Sequence, residues 1–341
     1  MSGRSPKRAF VTGSTGGIGS VLCERLSSEG WIVTAVTRPM SDAASIAGLE
    51  RVTIVHCDLF DEDALAAAMH GCDAVFHLAA QVHAPDTEPR SSFDKVNVEA
   101  TRHVVNAAAA AGVQSFVFFS TVAVFPESDE LFDESSAVNP STPYGATKLA
   151  GEAIVLEKKQ AMRVTILRLP VVYGPRDRGN VRRLIDAIAR GRFVIPGTGD
   201  NVKTMVAAGN VAHAAMRASL DQRASGKIFI VADEQASTLA EIVAAISSAL
   251  NMRRSPRRVP VGILKAAALV ADGLRRATGL NLPITSDQVA KLAANTRYSG
   301  ERIRRELDLQ YPVRLEDGMI AAIAGYRDAL PGASARPWRR T

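Results

Sequence analysis

From the N-terminus the chain alternates short apolar, β-branched runs with longer stretches in which apolar residues recur every three or four positions. Arg8-Ala9-Phe10-Val11-Thr12 stops at a glycine-rich turn, and Ile18 to Glu29 carries helical spacing closed by Gly30. Trp31 to Val36 and Val52 to Val55 predict two more strands. The helix predicted next, Asp61 to Met69, has acids in its first turn that suit the positive end of a helix dipole. Further along, Ala74 to Leu78, Phe116 to Ser120 and Val164 to Leu167 predict strands, with helices over Ser92 to Ala111 and Pro143 to Lys159 between them. Strands that are apolar throughout and alternate with helices predict the α/β class, a doubly wound parallel sheet covered on both faces.

After Gly174 the rhythm loosens. Glycine and proline cluster at Gly174-Pro175 and Pro196-Gly197-Thr198-Gly199, and helical spacing predominates from Leu239 onward. This predicts a first domain over 1–175 and a smaller, mostly helical one over 176–335, with interleaved boundaries. There is no internal repeat, and the alanine run at 107–111 is favoured in a helix by propensity.

Thr12-Gly13-Ser14-Thr15-Gly16-Gly17-Ile18-Gly19 lies between the first predicted strand and the first predicted helix, the setting in which a glycine pattern carries meaning. Gly13 permits the tight turn, Gly16 lets the backbone approach a pyrophosphate, and Gly19 allows helix to pack close on strand. The helix N-terminus, from Thr15 through Gly17 and Ile18, offers unpaired N–H groups to phosphates. This is the opening of a Rossmann-type dinucleotide fold, with the C-terminal domain left to hold substrate.

Tyr144-Gly145-Ala146-Thr147-Lys148 places a phenol and an ammonium four residues apart, on one face of a helix. An ammonium beside a phenol favours the phenolate and is expected to lower the Tyr144 pKa. Tyr144 then exchanges a proton with a substrate oxygen while hydride moves to or from a nicotinamide. Thr121, at the end of the preceding strand, supplies a hydroxyl to the same oxygen.

These motifs together resemble the extended short-chain dehydrogenase/reductases of the NAD-dependent epimerase/dehydratase family, and the resemblance runs through most of the chain. It implies that Asp58 and Leu59 meet the adenine, that Leu78, Ala79 and Ala80 run under the cofactor, and that Asn97 opens the central helix beside it. Pro170 and Val172, in Leu169-Pro170-Val171-Val172-Tyr173-Gly174-Pro175, resemble the segment beside the nicotinamide. Arg38 stands where an acid would grip the ribose of NAD. That leans toward NADP or toward tolerance of both, while Arg38 stacking on the adenine is an equal reading, so the cofactor is NAD or NADP.

The stretch His77 to His83 and Arg178-Gly179-Asn180 resembles bacterial UDP-sugar 4-epimerases and 4-keto-sugar reductases. By that resemblance Asn180 touches a diphosphate with Arg182 and Arg183 nearby. Gln81 and His83 lie beyond the C-terminal end of a predicted strand, where ligands bind in such folds, and are candidates for substrate contact. Lys203-Thr204 replaces an Arg-Asp pair, and Lys203 holds a phosphate only as a point charge. The stretch Gly197 to His213 also resembles 3β-hydroxysteroid dehydrogenases, which keeps an apolar hydroxy compound open as substrate. Val122-Ala123 stands where 4,6-dehydratases carry an Asp-Glu pair, which argues against dehydration. A cofactor-binding regulator without catalysis is a third reading, opposed by the intact Thr121, Tyr144 and Lys148. The remaining histidines, His56, His70, His103 and His213, read as structural.

The chain has 341 residues and a net charge of +6. The positive charge gathers in Arg253-Arg254-Ser255-Pro256-Arg257-Arg258, in Arg302 to Arg305 and in Trp338-Arg339-Arg340. Attraction of an anionic substrate and plain solvated surface both fit these runs. No aromatic residues interleave them, so no nucleic-acid partner is expected. Cys23, Cys57 and Cys72 form neither a CxxC pair nor a cluster with histidine, so neither a disulfide framework nor a metal site is expected. The polar N-terminus and the cysteine usage suit a cytoplasmic protein. Val259 to Leu274, the most apolar stretch, carries Lys265 and Asp272 and predicts an amphipathic helix rather than a membrane span. The resemblance also implies a homodimer through the two helices after Ser92 and Pro143.

Overall fold

The computed structural model describes residues 5–38, 41–82, 93–278 and 285–329. Seven strands form the central sheet: β1 (Arg8–Thr12), β2 (Ile32–Thr37), β3 (Val52–His56), β4 (Ala74–His77), β5 (Ser115–Thr121), β6 (Arg163–Leu169) and β7 (Lys227–Ile230). All pairings are parallel and the order is β7-β6-β5-β4-β1-β2-β3. The order reverses direction at β1 and β4, and ligands bind such sheets at the carboxyl ends beside that point. Ala9 to Thr12 and all of β4 are buried, which is why these strands read as unbroken apolar runs rather than alternating ones.

Helices α1 (Gly17–Ser28), α2 (Glu62–Met69), α3 (Ala100–Ala110), α4 (Pro143–Leu156), α5 (Asn180–Ala189), α6 (Ala208–Leu220), α7 (Leu239–Ala249), α8 (Val261–Thr278), α9 (Ser286–Ala293), α10 (Glu301–Glu306) and α11 (Leu315–Asp328) follow in chain order. Leu22 and Leu26 of α1 and Val211 and Ala215 of α6 cover one face of the sheet. Leu65 of α2, Val104 and Val105 of α3 and Ile154 of α4 cover the other. A separate core joins α5, α7 and α11 through Ile185, Ile242, Ile246 and Ile323. Full burial of one such side chain stabilises by about 1.5–3 kcal/mol.

Residues beyond 175 serve both regions: α6 packs on the sheet and β7 completes its edge on β6. β7 escapes sequence periodicity because it is four residues long and draws its definition from parallel pairing with β6. Another difference lies before α3, where Lys95–Glu99 winds as a single π-helical stretch. Such wide turns re-aim side chains, here Asn97.

Candidate active site

The turn after β1 is built by close contact. Gly13 adopts φ +66°, and a Cβ there would lie 2.8 Å from the Ala79 amide nitrogen. The segment Leu78–Ala80 therefore passes directly over the turn. At Gly19 a Cβ would lie 2.2 Å from the Gly13 carbonyl oxygen, so only glycine lets α1 sit this near the turn. Gly16 caps α1 without any side-chain hydrogen bond, and the first turn of α1 holds no acid. Thr15, Gly17 and Ile18 complete an open, electropositive helix end suited to phosphate.

Beneath the turn runs a buried chain of hydrogen bonds. The Thr101 hydroxyl donates to the Asn97 carbonyl, so it accepts from Nε2–H of His77 at 3.0 Å. Nδ1 of His77 is then bare and accepts from the Thr12 hydroxyl at 2.7 Å, whose oxygen accepts in turn from the Ala79 amide. Complete burial pushes His77 down to about 3, with Lys148 adding to the effect, so the ring is neutral at working pH. The Asn97 side chain clamps the backbone of Gln81 from both sides and donates to Thr147. Its amide is thus engaged within the protein: Asn97 ties the end of β4 to α4. His83 falls outside the described residues.

Helix α4 begins with Thr142 as N-cap, accepting from the Gly145 amide, and Pro143 in the first turn. A Cβ on Gly145 would meet the Ala123 carbonyl at 2.2 Å. That close approach brings Tyr144 against the end of β5, where the Thr121 hydroxyl lies beside its phenol. One turn on, Lys148 is fully buried with Nζ 3.9 Å from the centre of the Phe118 ring. Among the described residues Nζ has no hydrogen-bond partner.

The electrostatics differ from the sequence expectation. Burial pushes the Tyr144 phenol up to about 12, opposed only by the Thr121 hydrogen bond. Burial also pushes Lys148 down to about 7, against the pull of Glu152. The ammonium does not lower the phenol, because desolvation penalises the charged forms of both groups. Spacing on a helix sets which face two side chains share; depth decides what they titrate as.

Sequence reasoning missed the pair that frames this site. Glu152, four residues after Lys148, grips Arg168 of β6 in a fork at 3.0 and 2.8 Å and accepts from Ser120 at 2.5 Å. Both charged groups are buried, and Arg168 stacks on Phe125. The continued i, i+4 spacing from Tyr144 through Lys148 to Glu152 was the available signal.

The remaining expected residues are more scattered. Arg38 is exposed immediately after β2, and Asp42 caps the Ala44 amide. Asp58 is exposed beyond β3 and caps the Phe60 amide, with Leu59 half-buried beside it. Pro170 is buried and Val172 pairs with Val206. Asn180 is exposed as the first residue of α5, while Arg182 and Arg183 line a cleft of about 440 Å³ with Arg178, Arg190, Asp186 and Tyr326. Nζ of Lys203 donates to the carbonyls of Lys291 and Ala294, so this ammonium caps the end of α9 instead of standing open for a phosphate. His56, His103 and His213 bond to Thr37, Glu62 and Arg25. Among the described residues no group of His, Cys, Asp and Glu could hold a metal ion, and no helix is long and apolar enough to cross a membrane.

A profile of the NAD dependent epimerase/dehydratase family matches residues 9–232, which span β1 through β7. The chain belongs to the NAD-dependent epimerase/dehydratase family. Among its relatives is the N-acetyl-α-D-glucosaminyl-diphospho-ditrans,octacis-undecaprenol 4-epimerase of Escherichia coli O157:H7, 31% identical over 250 residues, covering 72% of this chain and 75% of the relative. Sterol demethylase protein B of Methylococcus capsulatus is 30% identical over 333 residues, covering 94% of this chain and 98% of the relative. The solved structure of MoeE5 in complex with UDP-glucuronic acid and NAD superposes with a TM-score of 0.73 at 26% identity, covering 95% of this chain and all of that one. The family is one of NAD-dependent enzymes with epimerase and reductase members.

The residues present fit that cofactor. The open end of α1 beside the Gly13 turn suits the pyrophosphate, and the partnerless Lys148 ammonium needs acceptors of the kind a ribose diol offers.

Proposed function

We propose that this protein interconverts an alcohol and a ketone at a carbon of a diphosphate-linked sugar, as a 4-epimerase or 4-keto-sugar reductase. Tyr144 acts as general acid and base. The observation that carries the reading is the group at the carboxyl end of the sheet: the Thr121 hydroxyl beside the Tyr144 phenol, with the Lys148 ammonium buried one turn away and, among the described residues, without a hydrogen-bond partner.

When bound, the nicotinamide supplies the hydride acceptor or donor and, oxidised, a positive charge that favours the phenolate. The rest of the task falls to the chain. Thr121 and the Tyr144 phenol hold the reacting oxygen between two hydroxyls, and Tyr144 takes or returns its proton. Lys148 holds the nucleotide ribose and screens the phenolate. The Thr12–His77–Thr101 chain keeps the floor of the site rigid and uncharged. Gly13 and Gly19 let the turn and α1 close on the backbone around them, Gly16 leaves room for the pyrophosphate, Asp58 and Leu59 border the adenine, and Pro170 and Val172 the nicotinamide. Gln81 and Asn180 face the substrate, and Arg178, Arg182 and Arg183 favour its anionic end. The relatives named for a diphosphate-linked N-acetylglucosamine and solved with UDP-glucuronic acid support a substrate of this kind.

A second reading, an apolar hydroxy compound, is favoured by two observations. Lys203, in place of a forked arginine, is engaged at the end of α9, and Val171 within the expected nicotinamide segment and Val82 just beyond β4 are exposed. The relative named sterol demethylase protein B points the same way.

The test is a thermal-shift series with UDP, GDP, dTDP and a sterol, followed by incubation with UDP-sugars with and without added NAD(P)H. Stabilisation by a nucleoside diphosphate and sugar turnover are expected, because a ligand that binds only the native state raises its stability. Turnover without added cofactor indicates an epimerase, and stoichiometric oxidation of NAD(P)H a reductase. Stabilisation by the sterol and by none of the diphosphates overturns the sugar reading.

A further inference from the structure

Helix α8 has two apolar sides, one buried and one exposed. Leu264, Ala268 and Ala271 are buried, and Leu264 and Ala268 pack with Val289 of α9 and with Val194 and Val259 in a small cluster of their own. Roughly a quarter-turn around the helix, Ile263, Val270 and Leu274 form a second line that is 60%, 69% and 48% exposed, with exposed Ala266 and Ala267 between them. Leu269, at 65% exposure, lies on another side of the helix, near Lys265 and Arg276. From Ile263 to Leu274 this stripe runs about 16 Å along the axis. Large exposed apolar side chains grouped on one face mark an interaction surface.

The charge around it is one-sided. Arg253, Arg254, Arg257 and Arg258 precede the helix, all exposed, and Lys265, Arg275 and Arg276 lie on it, also exposed. Against these seven cations residues 251–278 hold one acid, Asp272, which is paired with Arg275 and accepts the Ser286 amide. The segment's net charge of +6 equals that of the whole chain. Summed over the rest of the chain, acids and bases cancel.

We propose that α8 docks this protein flat on an anionic lipid bilayer, with Ile263, Val270 and Leu274 entering the interface and the arginines at both ends of the stripe meeting headgroup phosphates. An apolar stripe flanked by basic residues is the pattern of a helix that lies in the interfacial plane, and basic side chains add attraction to an anionic leaflet. The four charged residues within α8 rule it out as a span. A second copy of the chain is the poorer occupant: a two-fold contact through this face would press two segments of charge +6 together. The inference concerns a surface remote in chemistry from hydride transfer and stands whichever substrate the site accepts.

The experiment is sedimentation of the full chain with vesicles of phosphatidylcholine alone and with added phosphatidylglycerol. Binding to the anionic vesicles is expected, with loss at about 1 M salt, where the Debye length falls to about 3 Å. The variants are Val270→Asp, chosen at the most exposed apolar position, and the combined Arg253→Glu, Arg254→Glu, Arg257→Glu, Arg258→Glu. Each should lower vesicle affinity by about tenfold or more, with thermal midpoint and cofactor affinity unchanged, which shows that the fold is intact. No binding above background, equal binding to neutral vesicles, or equal binding by the variants overturns the proposal. So does a Val270→Asp variant that halves the molecular mass of a wild type that ignores vesicles, an outcome that assigns the face to a second copy.

Discussion

Two buried cations one strand apart are treated in opposite ways. Arg168 of β6 is held by both carboxylate oxygens of Glu152, which also takes the Ser120 hydroxyl, so its charge is neutralised inside the protein. Lys148, one helical turn before Glu152, is equally buried and has an aromatic face but, among the described residues, no hydrogen-bond acceptor for Nζ. An orphaned buried ammonium is costly, and the protein retains it where a ligand can complete it. The satisfied pair is scaffold; the unsatisfied group is the place prepared for chemistry.

The sharpest way to break this contrast is at the scaffold. Glu152→Ala leaves Arg168 buried without its counter-charge and is expected to lose about 3–5 kcal/mol of stability in denaturant unfolding. Adding Arg168→Met should recover much of that loss, since an apolar replacement of both partners is close to neutral. If the single and double variants unfold alike, the pair is not the unit described here.

At the reactive side the expected effect is kinetic. Tyr144→Phe should lower turnover at least about a hundredfold, the usual reach of general acid–base catalysis, with cofactor affinity and thermal midpoint kept. Near-normal turnover removes Tyr144 from the mechanism.

Lys148→Met probes the same contrast through pH. Lys148 in the folded protein sits at about 7, below its value of about 10.4 in an unfolded chain. Between those values the unfolded state binds more protons, so wild-type stability rises with pH across that window. Without cofactor, Lys148→Met is expected to be more stable than wild type by on the order of 1–3 kcal/mol below pH 7. The difference should close as pH approaches 10. A difference that does not vary with pH would show that Lys148 is not buried as an ammonium. With cofactor present the variant should bind NAD(H) more weakly, the reverse of its gain in stability.

The smallest expected effect is at the rim. Arg38→Asp should shift the ratio of NADP(H) to NAD(H) affinities toward NAD(H) by about tenfold, because a carboxylate accepts from a ribose hydroxyl and repels a phosphate. Titration of both cofactors checks it, and an unchanged ratio removes Arg38 from cofactor choice.

Much of this protein was legible before any coordinates. The alternation of apolar runs and helical spacing, the glycines between β1 and α1, and the Tyr144–Lys148 spacing are local signals, and the family and fold they pointed to agree with the parallel sheet and the profile match. Such signals survive because strand burial, turn geometry and helix faces depend on residues a few positions apart. The tertiary structure decided what depends on depth and on distant partners. It made Asn97 a clamp between β4 and α4 and engaged Lys203 at the end of α9. It also drove Tyr144 up and Lys148 down by burying them together. Glu152 met Arg168 across sixteen residues, and β7 existed only because β6 lay ready to pair with it. The apolar face and the concentrated charge of α8 were written in the sequence as composition, but which of its two apolar sides faced the protein was settled by packing against Val289. Periodicity records that a helix has faces; only its neighbours determine which face is left for the outside.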